Sequence, residues 1–209
     1  MTVGAIALTV IGVQLLRGSV ARERARAEWT SLMSAASISS IPAMSLTRVS
    51  SGAPVVRVII PSIRLDEVVV EGLSDKDLWA GPGHMPGTVF PGQNGNAVIS
   101  AHRDRHFHRL DDVRVGEMIE TQTPAMDVVW RVTSRRVVHR DDKVIFETAE
   151  PQLTLTTCWP TRYLGPAPDR LILTAVPVST RARGAATAPA ATAAVTTTAR
   201  AAGITSTTR

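Results

Sequence analysis

The chain holds a single cysteine, Cys158, at the end of the stretch "LTLTTC" and directly before Trp159 and Pro160. Proline has no backbone N–H for a sheet ladder, so the chain must leave the sheet there and the thiol is expected at a rim. A second strand-like stretch, "NAVISAH", ends on His102 and runs into the charged segment "RDRHFHRL". A lone cysteine is more often a small buried hydrophobe, and a lone histidine at a strand end is more often a structural hydrogen-bonder. One Cys and one His that each terminate a strand are nevertheless what nucleophilic catalysis by a thiol requires.

Attack of a thiolate on an amide carbonyl builds negative charge on oxygen, which a fixed donor must stabilise. Arg170 opens the stretch "RLILTAV" just after the Cys158 loop. If that stretch pairs antiparallel with "QLTLTTC", Arg170 near the start of one strand lies beside Cys158 near the end of the other. Arg162 competes for the role, but it sits within the loop. A donor on a rigid element is better preorganised, which favours Arg170. A free thiol titrates at about 8.5, so a nearby cation is needed for a useful thiolate fraction near neutrality, and Arg170 and His102 are the candidates.

The elements that must position these residues are β-strands. Between Val55 and Pro177 the stretches "VVRVII", "EVVVEGL", "NAVISAH", "EMIETQTP", "MDVVWRVTSRRVV", "QLTLTTC" and "RLILTAV" are rich in β-branched residues and separated by turn residues. Short strands at this spacing predict an all-β closed barrel or sandwich. Helix has little room: "SDKDLW" makes one turn capped by Ser74, and "RHFHRLDDV" another.

The two ends differ from this middle. Residues 2–16, "TVGAIALTVIGVQLL", are apolar apart from two Thr and Gln14, and as a helix they extend about 22 Å, against a hydrocarbon core of about 30 Å. Extension to Ala21 reaches a spanning length but takes in Arg17. An uncleaved membrane anchor is therefore expected over 1–21, shortened at its start, because no basic region precedes it and "VQLLRGSVA" is a poor cleavage site. Arg17, Arg22, Arg24 and Arg26 all follow the apolar run, which by the positive-inside rule argues against an exported C-terminal domain. A misplaced start codon would account for both features. A juxtamembrane helix and linker are expected over 22–54, the folded domain over 55–178, and a disordered Ala/Thr-rich tail over 179–209.

Composition removes several function classes. One cysteine excludes an internal disulfide and the cysteine-rich zinc sites. The net charge is +5, but the arginines are scattered and not interleaved with aromatics, so nucleic acid is not expected as a partner. His102, His106 and His108 form an HxxxHxH cluster, but without a helix to align them no metal is expected, and no cofactor either.

In its motifs the chain resembles a sortase. The run "LTLTTC" followed by Arg170, with "AHRDRHF" upstream, has the family's order and spacing, and "GPGHMPGTVFPGQNGNAVISAHRDRHF" and "TTCWPTRYLGPAPDRLILTA" are most like the class D pattern, with class E next. The resemblance covers Val55 to about Pro177. It implies an eight-stranded β-barrel behind a membrane helix, with the domain outside the cell membrane. It further implies a cysteine transpeptidase that cleaves an LPxTx-type sorting signal after Thr. Its partners would be secreted proteins bearing that signal and an amine acceptor, either a cell-wall precursor or a pilin lysine. Cys158 is then the nucleophile, His102 the general acid/base and Arg170 the stabiliser of substrate and tetrahedral intermediate. Ala101 departs from the glycine the family often has before the histidine, and leaves these roles in place.

Other residues carry weaker expectations. Thr157 either helps orient the oxyanion or faces its strand neighbours. Asp104 could hold the imidazole, although an Asp in a charged loop is more often solvated or capping a turn. His84 lies in a Gly/Pro-rich stretch that the family places near the rim, and His139 has no assigned role. An L,D-transpeptidase would need an "SHGC"-like run, which is absent. The non-enzymatic alternative is an anchored β-domain acting as an adhesin or assembly adaptor with Cys158 buried.

Overall fold

The computed structural model describes residues 2–38, 49–143, 145–162 and 165–183. Eight strands close into one barrel: β1 (Pro54–Ile60), β2 (Leu65–Glu71), β3 (Gly83–His84), β4 (Asn96–Ala101), β5 (Met118–Gln122), β6 (Met126–His139), β7 (Gln152–Trp159) and β8 (Asp169–Ala182). Their order around the barrel is β1-β2-β3-β4-β7-β8-β6-β5. The β2/β3 and β4/β7 pairs are parallel, and the other pairs are antiparallel.

The core follows from strand alternation. Val56, Val58, Ile60, Ile99, Ile119, Val128, Trp130, Val132, Leu153, Leu155, Leu171 and Leu173 fill the interior. Trp130 is wholly buried and donates its indole N–H to Thr121 Oγ1 at 2.7 Å, so its polar atom is satisfied as well. The run "EVVVEGL" reads as continuous and not alternating because both its faces are covered. Val69 joins the barrel core, whereas Val68 and Val70 form a second cluster with Ala25 and Trp29 of an N-terminal helix.

That helix, α1, spans Thr2–Ile38. The anchor expected over 1–21 and the juxtamembrane helix expected after it are one continuous element, and its second half is docked on the barrel. Among the described residues no helix is long and apolar enough to cross a membrane. The side chains of residues 1–11 and the linker residues 39–48 lie outside those described.

Two further features differ from the sequence reading. β3 has only two residues, too short for any periodicity, inside a stretch expected to be loop. It exists because glycines let chains approach closely: a Cβ on Gly83 would lie 2.1 Å from the Gly72 carbonyl oxygen, and one on Gly81 2.3 Å from that of Val68. β8 also runs past the expected domain end at 178. Ser179–Ala182 pair with Met126–Val129 of β6, and Arg181 and Arg183 both bind the Asp127 carboxylate. Residues 184–209 of the expected tail lie outside those described.

The short helix α2 (Asp75–Ala80) begins as expected at Ser74. A capping box joins Ser74 to Asp77, and Ser51 also donates to the Asp77 carboxylate at 3.0 Å. The second expected helical turn is the 3-10 turn Leu110–Asp112.

Candidate active site

β4 and β7 run parallel, with Ala101 opposite Thr157. The next residue on each chain is His102 on one and Cys158 on the other, so the parallel register delivers both to the same end of the barrel. Thr157 is buried, and its hydroxyl donates to the Ala101 carbonyl at 2.8 Å, tying the two strands together one residue before His102 and Cys158. On the other side of β7, Cys158 stands directly opposite Arg170 of β8. Cys158, His102 and Arg170 line one groove of about 630 Å³, with Leu73, Leu78, Met85, Ile145 and Phe146 among its apolar walls.

Arg170 Nη1 donates to the carbonyls of Asp169 at 2.9 Å and Ala167 at 3.2 Å, which fixes the guanidinium on its own strand. Arg162 is exposed and turned elsewhere. Its Nη2 donates to Asp112 Oδ1 at 2.5 Å, with Asp111 at 3.8 Å. The carboxyl of Asp112 is held below its ordinary value by Arg109 first and by Arg162 in addition. Of the two arginines, the strand residue is the one in the groove with the thiol.

A family model, that of the sortase domain, matches residues 58–178. The chain belongs to the sortase family. It is 33% identical over 116 residues to Sortase D of Bacillus subtilis (strain 168), an alignment covering 54% of this chain and 59% of that protein. The chain thus spans less than two thirds of that relative's length. A Clostridium perfringens Sortase D5 transpeptidase superposes with a TM-score of 0.58 at 26% identity, over 64% of this chain and 84% of the other. The catalytic domain of SrtD from B. anthracis gives a TM-score of 0.54 at 31% identity, over 65% and 95%. These D-type relatives agree with the class D pattern in the motifs.

Within this sortase-family chain Asp104 and His84 lie apart from the groove. Asp104 is exposed and lines a different cavity, beneath α1. His84 is buried on β3. Its Nδ1 lies 2.6 Å from Glu71 Oε2 and its Nε2 lies 3.0 Å from the Val89 carbonyl, while its ring stacks on Phe90 at 4.5 Å. Those contacts pin the segment 85–90 to the barrel. The HxxxHxH histidines diverge: His102 lines the groove, His106 Nδ1 faces Glu67 at 3.5 Å, and His108 Nδ1 approaches the Arg105 carbonyl at 2.7 Å. His139 is exposed at the end of β6 and lines the far side of the groove.

One residue escaped the sequence reading. Arg103, next to His102, donates from Nη1 to the Pro160 carbonyl at 2.8 Å and from Nη2 to the Gly165 carbonyl. It ties the turn after His102 to the loop that follows Cys158. Asn96 does a similar task at the start of β4, where it holds the segment that contains Phe146. It donates to the Phe146 carbonyl at 3.1 Å and accepts from Thr154 Oγ1 at 2.8 Å.

Proposed function

We propose that this chain is a cysteine transpeptidase that cleaves an LPxTx-type sorting signal after Thr and joins the new carboxyl end to an amine. The observation that carries this reading is the convergence of Cys158, His102 and Arg170 on one groove with apolar walls. Cys158 Sγ attacks the Thr carbonyl carbon, and the carbonyl electrons move to oxygen. Arg170, held on β8 by two backbone carbonyls, donates hydrogen bonds to that oxyanion. The C–N bond then breaks, His102 delivers a proton to the leaving amine, and a thioester remains on Cys158. An incoming amine attacks the thioester and gives up a proton to His102, and the thiolate leaves. Thr157 acts here by holding β4 against β7, since its hydroxyl is already donated to Ala101.

The apolar groove walls suit the Leu and Pro of such a signal, and its bearers are taken to be secreted proteins. The amine acceptor is a cell-wall precursor or a pilin lysine. We place the domain outside the cell membrane with residues 1–21 as its anchor. The apolar run of residues 2–16 and the family resemblance support that placement.

The test is incubation of the full chain with an LPxTx peptide, with and without an amine acceptor, followed by intact-protein mass spectrometry. An adduct of the peptide acyl mass on wild type, absent from Cys158→Ala and consumed by amine, is expected. Peptide cleavage by Cys158→Ala would overturn the assignment. Because Cys158 is the only cysteine, a thiol reagent that cannot cross membranes tests location directly. Labelling of intact cells is expected, and labelling only after lysis would place the domain inside.

A further inference from the structure

A second cavity, of about 750 Å³, lies between α1 and the barrel and takes no part in the proposed transfer. Its walls include Arg22 and Arg26 of α1, Arg64 and Glu67 at β2, and Arg105 and His106 of the turn after β4. Glu67 is the buried carboxylate of the group, and two guanidiniums and an imidazole converge on it. Arg22 Nε donates to it at 3.0 Å, His106 Nδ1 lies 3.5 Å away, and Arg26 Nη2 lies 3.7 Å away.

Two further groups face the cavity. The Arg105 guanidinium stacks on the Trp79 ring at 3.6 Å and donates one N–H to the Trp79 carbonyl at 3.3 Å. Burial opposes its charge, Asp104 supports it, and the nearby charge of Arg22 opposes it again. His106 has a side chain only 6% exposed, and its Nε2 is buried with no hydrogen-bond partner. A buried nitrogen left unpaired is costly, and two guanidiniums that repel each other beside it call for an anion.

We propose that this cavity binds a phosphate group, held by Arg105, Arg22 and Arg64 and by His106 Nε2. A carboxylate is planar and one guanidinium fork satisfies it, whereas phosphate offers acceptor oxygens in several directions to donors that come from three separate elements. With Glu67 on one side and the anion on the other, the imidazolium form of His106 donates to both. The phosphate comes either from solution or from the headgroup of an anionic lipid. Leu16 and Val20 of α1, 67% and 49% exposed, lie on the helix that forms one wall.

The full chain in neutral detergent is titrated calorimetrically with inorganic phosphate, against sodium chloride at equal ionic strength. Flotation with phosphatidylglycerol vesicles, against phosphatidylcholine vesicles, forms the second arm. Arg105→Gln and His106→Gln are expected to weaken binding roughly tenfold or more, as loss of one charge-assisted hydrogen bond would. Arg64→Gln, at an exposed side chain, gives a variant that does not disturb packing, with a smaller loss in the same direction. Peptide transfer, which these residues do not touch, reports that each variant is folded. Calorimetric binding lost in the variants assigns soluble phosphate. Flotation lost in the variants, without phosphate heat, assigns the lipid headgroup. Heat from chloride equal to that from phosphate, or variants that bind as wild type in both arms, would overturn the proposal.

Discussion

Cys158 on β7 and Arg170 on β8 are direct partners in an antiparallel register, one residue from the end of the β7/β8 ladder. The spacing between thiol and guanidinium is therefore fixed by backbone pairing and not by a loop. Arg170→Lys keeps the cation but loses the planar fork of donors. We expect acylation to slow by roughly a hundredfold, as removal of an oxyanion donor commonly does, with unfolding temperature unchanged. Arg162→Ala, which removes ion pairs of an exposed side chain with Asp112 and Asp111, should change the rate by less than about threefold. The reverse ranking in single-turnover kinetics would mean that the loop arginine serves the oxyanion.

Cys158→Ser tests the nucleophile more sharply than alanine does. A hydroxyl is far less acidic than a thiol, and among the described residues no hydrogen bond joins His102 to residue 158 to make it a compensating base. Turnover should fall to background while peptide binding persists, as measured by fluorescence anisotropy. His102→Ala should block both thioester formation and its release to amine. An adduct formed at the wild-type rate in His102→Ala would remove His102 from the first step.

Arg103 is expected to govern the rate without touching the substrate. Arg103→Ala frees the Pro160 and Gly165 carbonyls and loosens the loop after Cys158. Misplacement of reacting groups by about 1 Å can cost about a hundredfold, so kcat should drop ten- to a hundredfold with KM little changed. Arg103→Lys, which keeps one donor, should recover part of the loss. A change in KM alone would point instead to a direct contact with the peptide.

Thr157→Val leaves the buried Ala101 carbonyl without its side-chain donor. A loss of about 1–3 kcal/mol is expected in denaturant unfolding, and Thr157→Ser should restore most of it. If Thr157→Val kept full stability but lost activity, the hydroxyl would be serving the oxyanion after all.

Glu67 gives a pH signature. Burial works against its charged form, but hydrogen bonds and charge from His106 and Arg22 outweigh burial and hold the carboxyl below its ordinary value of 4.5. A carboxyl whose folded value is depressed adds stability above its unfolded value and loses it as pH falls through the folded one. The wild-type melting temperature should therefore exceed that of Glu67→Gln near neutrality, and the gap should close as pH falls from 4.5 through the lower folded value. A gap independent of pH would show that the variant acts through packing alone.

The parts of the site that the sequence revealed are those carried by strand ends. Cys158 and His102 were legible as rim residues because an apolar run that stops at a polar residue marks a strand end, and Arg170 because it opens the next strand; the fold brings all three to one groove. Thr157 and Asp104 were ambiguous because their roles depend on which neighbour faces them. Pairing supplies that information, and composition does not. Arg103 was invisible because it binds two backbone carbonyls, and such a contact leaves no periodic trace. The docking of α1 through Trp29 was hidden for a related reason: "RAEWTSLM" reads as a good helix former wherever it lies, and only the apolar outer residues Val68 and Val70 of β2 show where it goes.

The extension of β8 to Ala182 also governs how the molecule can be cut. Were the chain to stop at 178, Met126–Val129 of β6 would lose their partners on one side and Asp127 would lose both arginines. The barrel would then have an open seam of unpaired amides and carbonyls, a template on which a second copy could lay its own strand. Ser179–Ala182 thus act as a guard against self-association, and a polar tail by composition becomes a closure by hydrogen bonding.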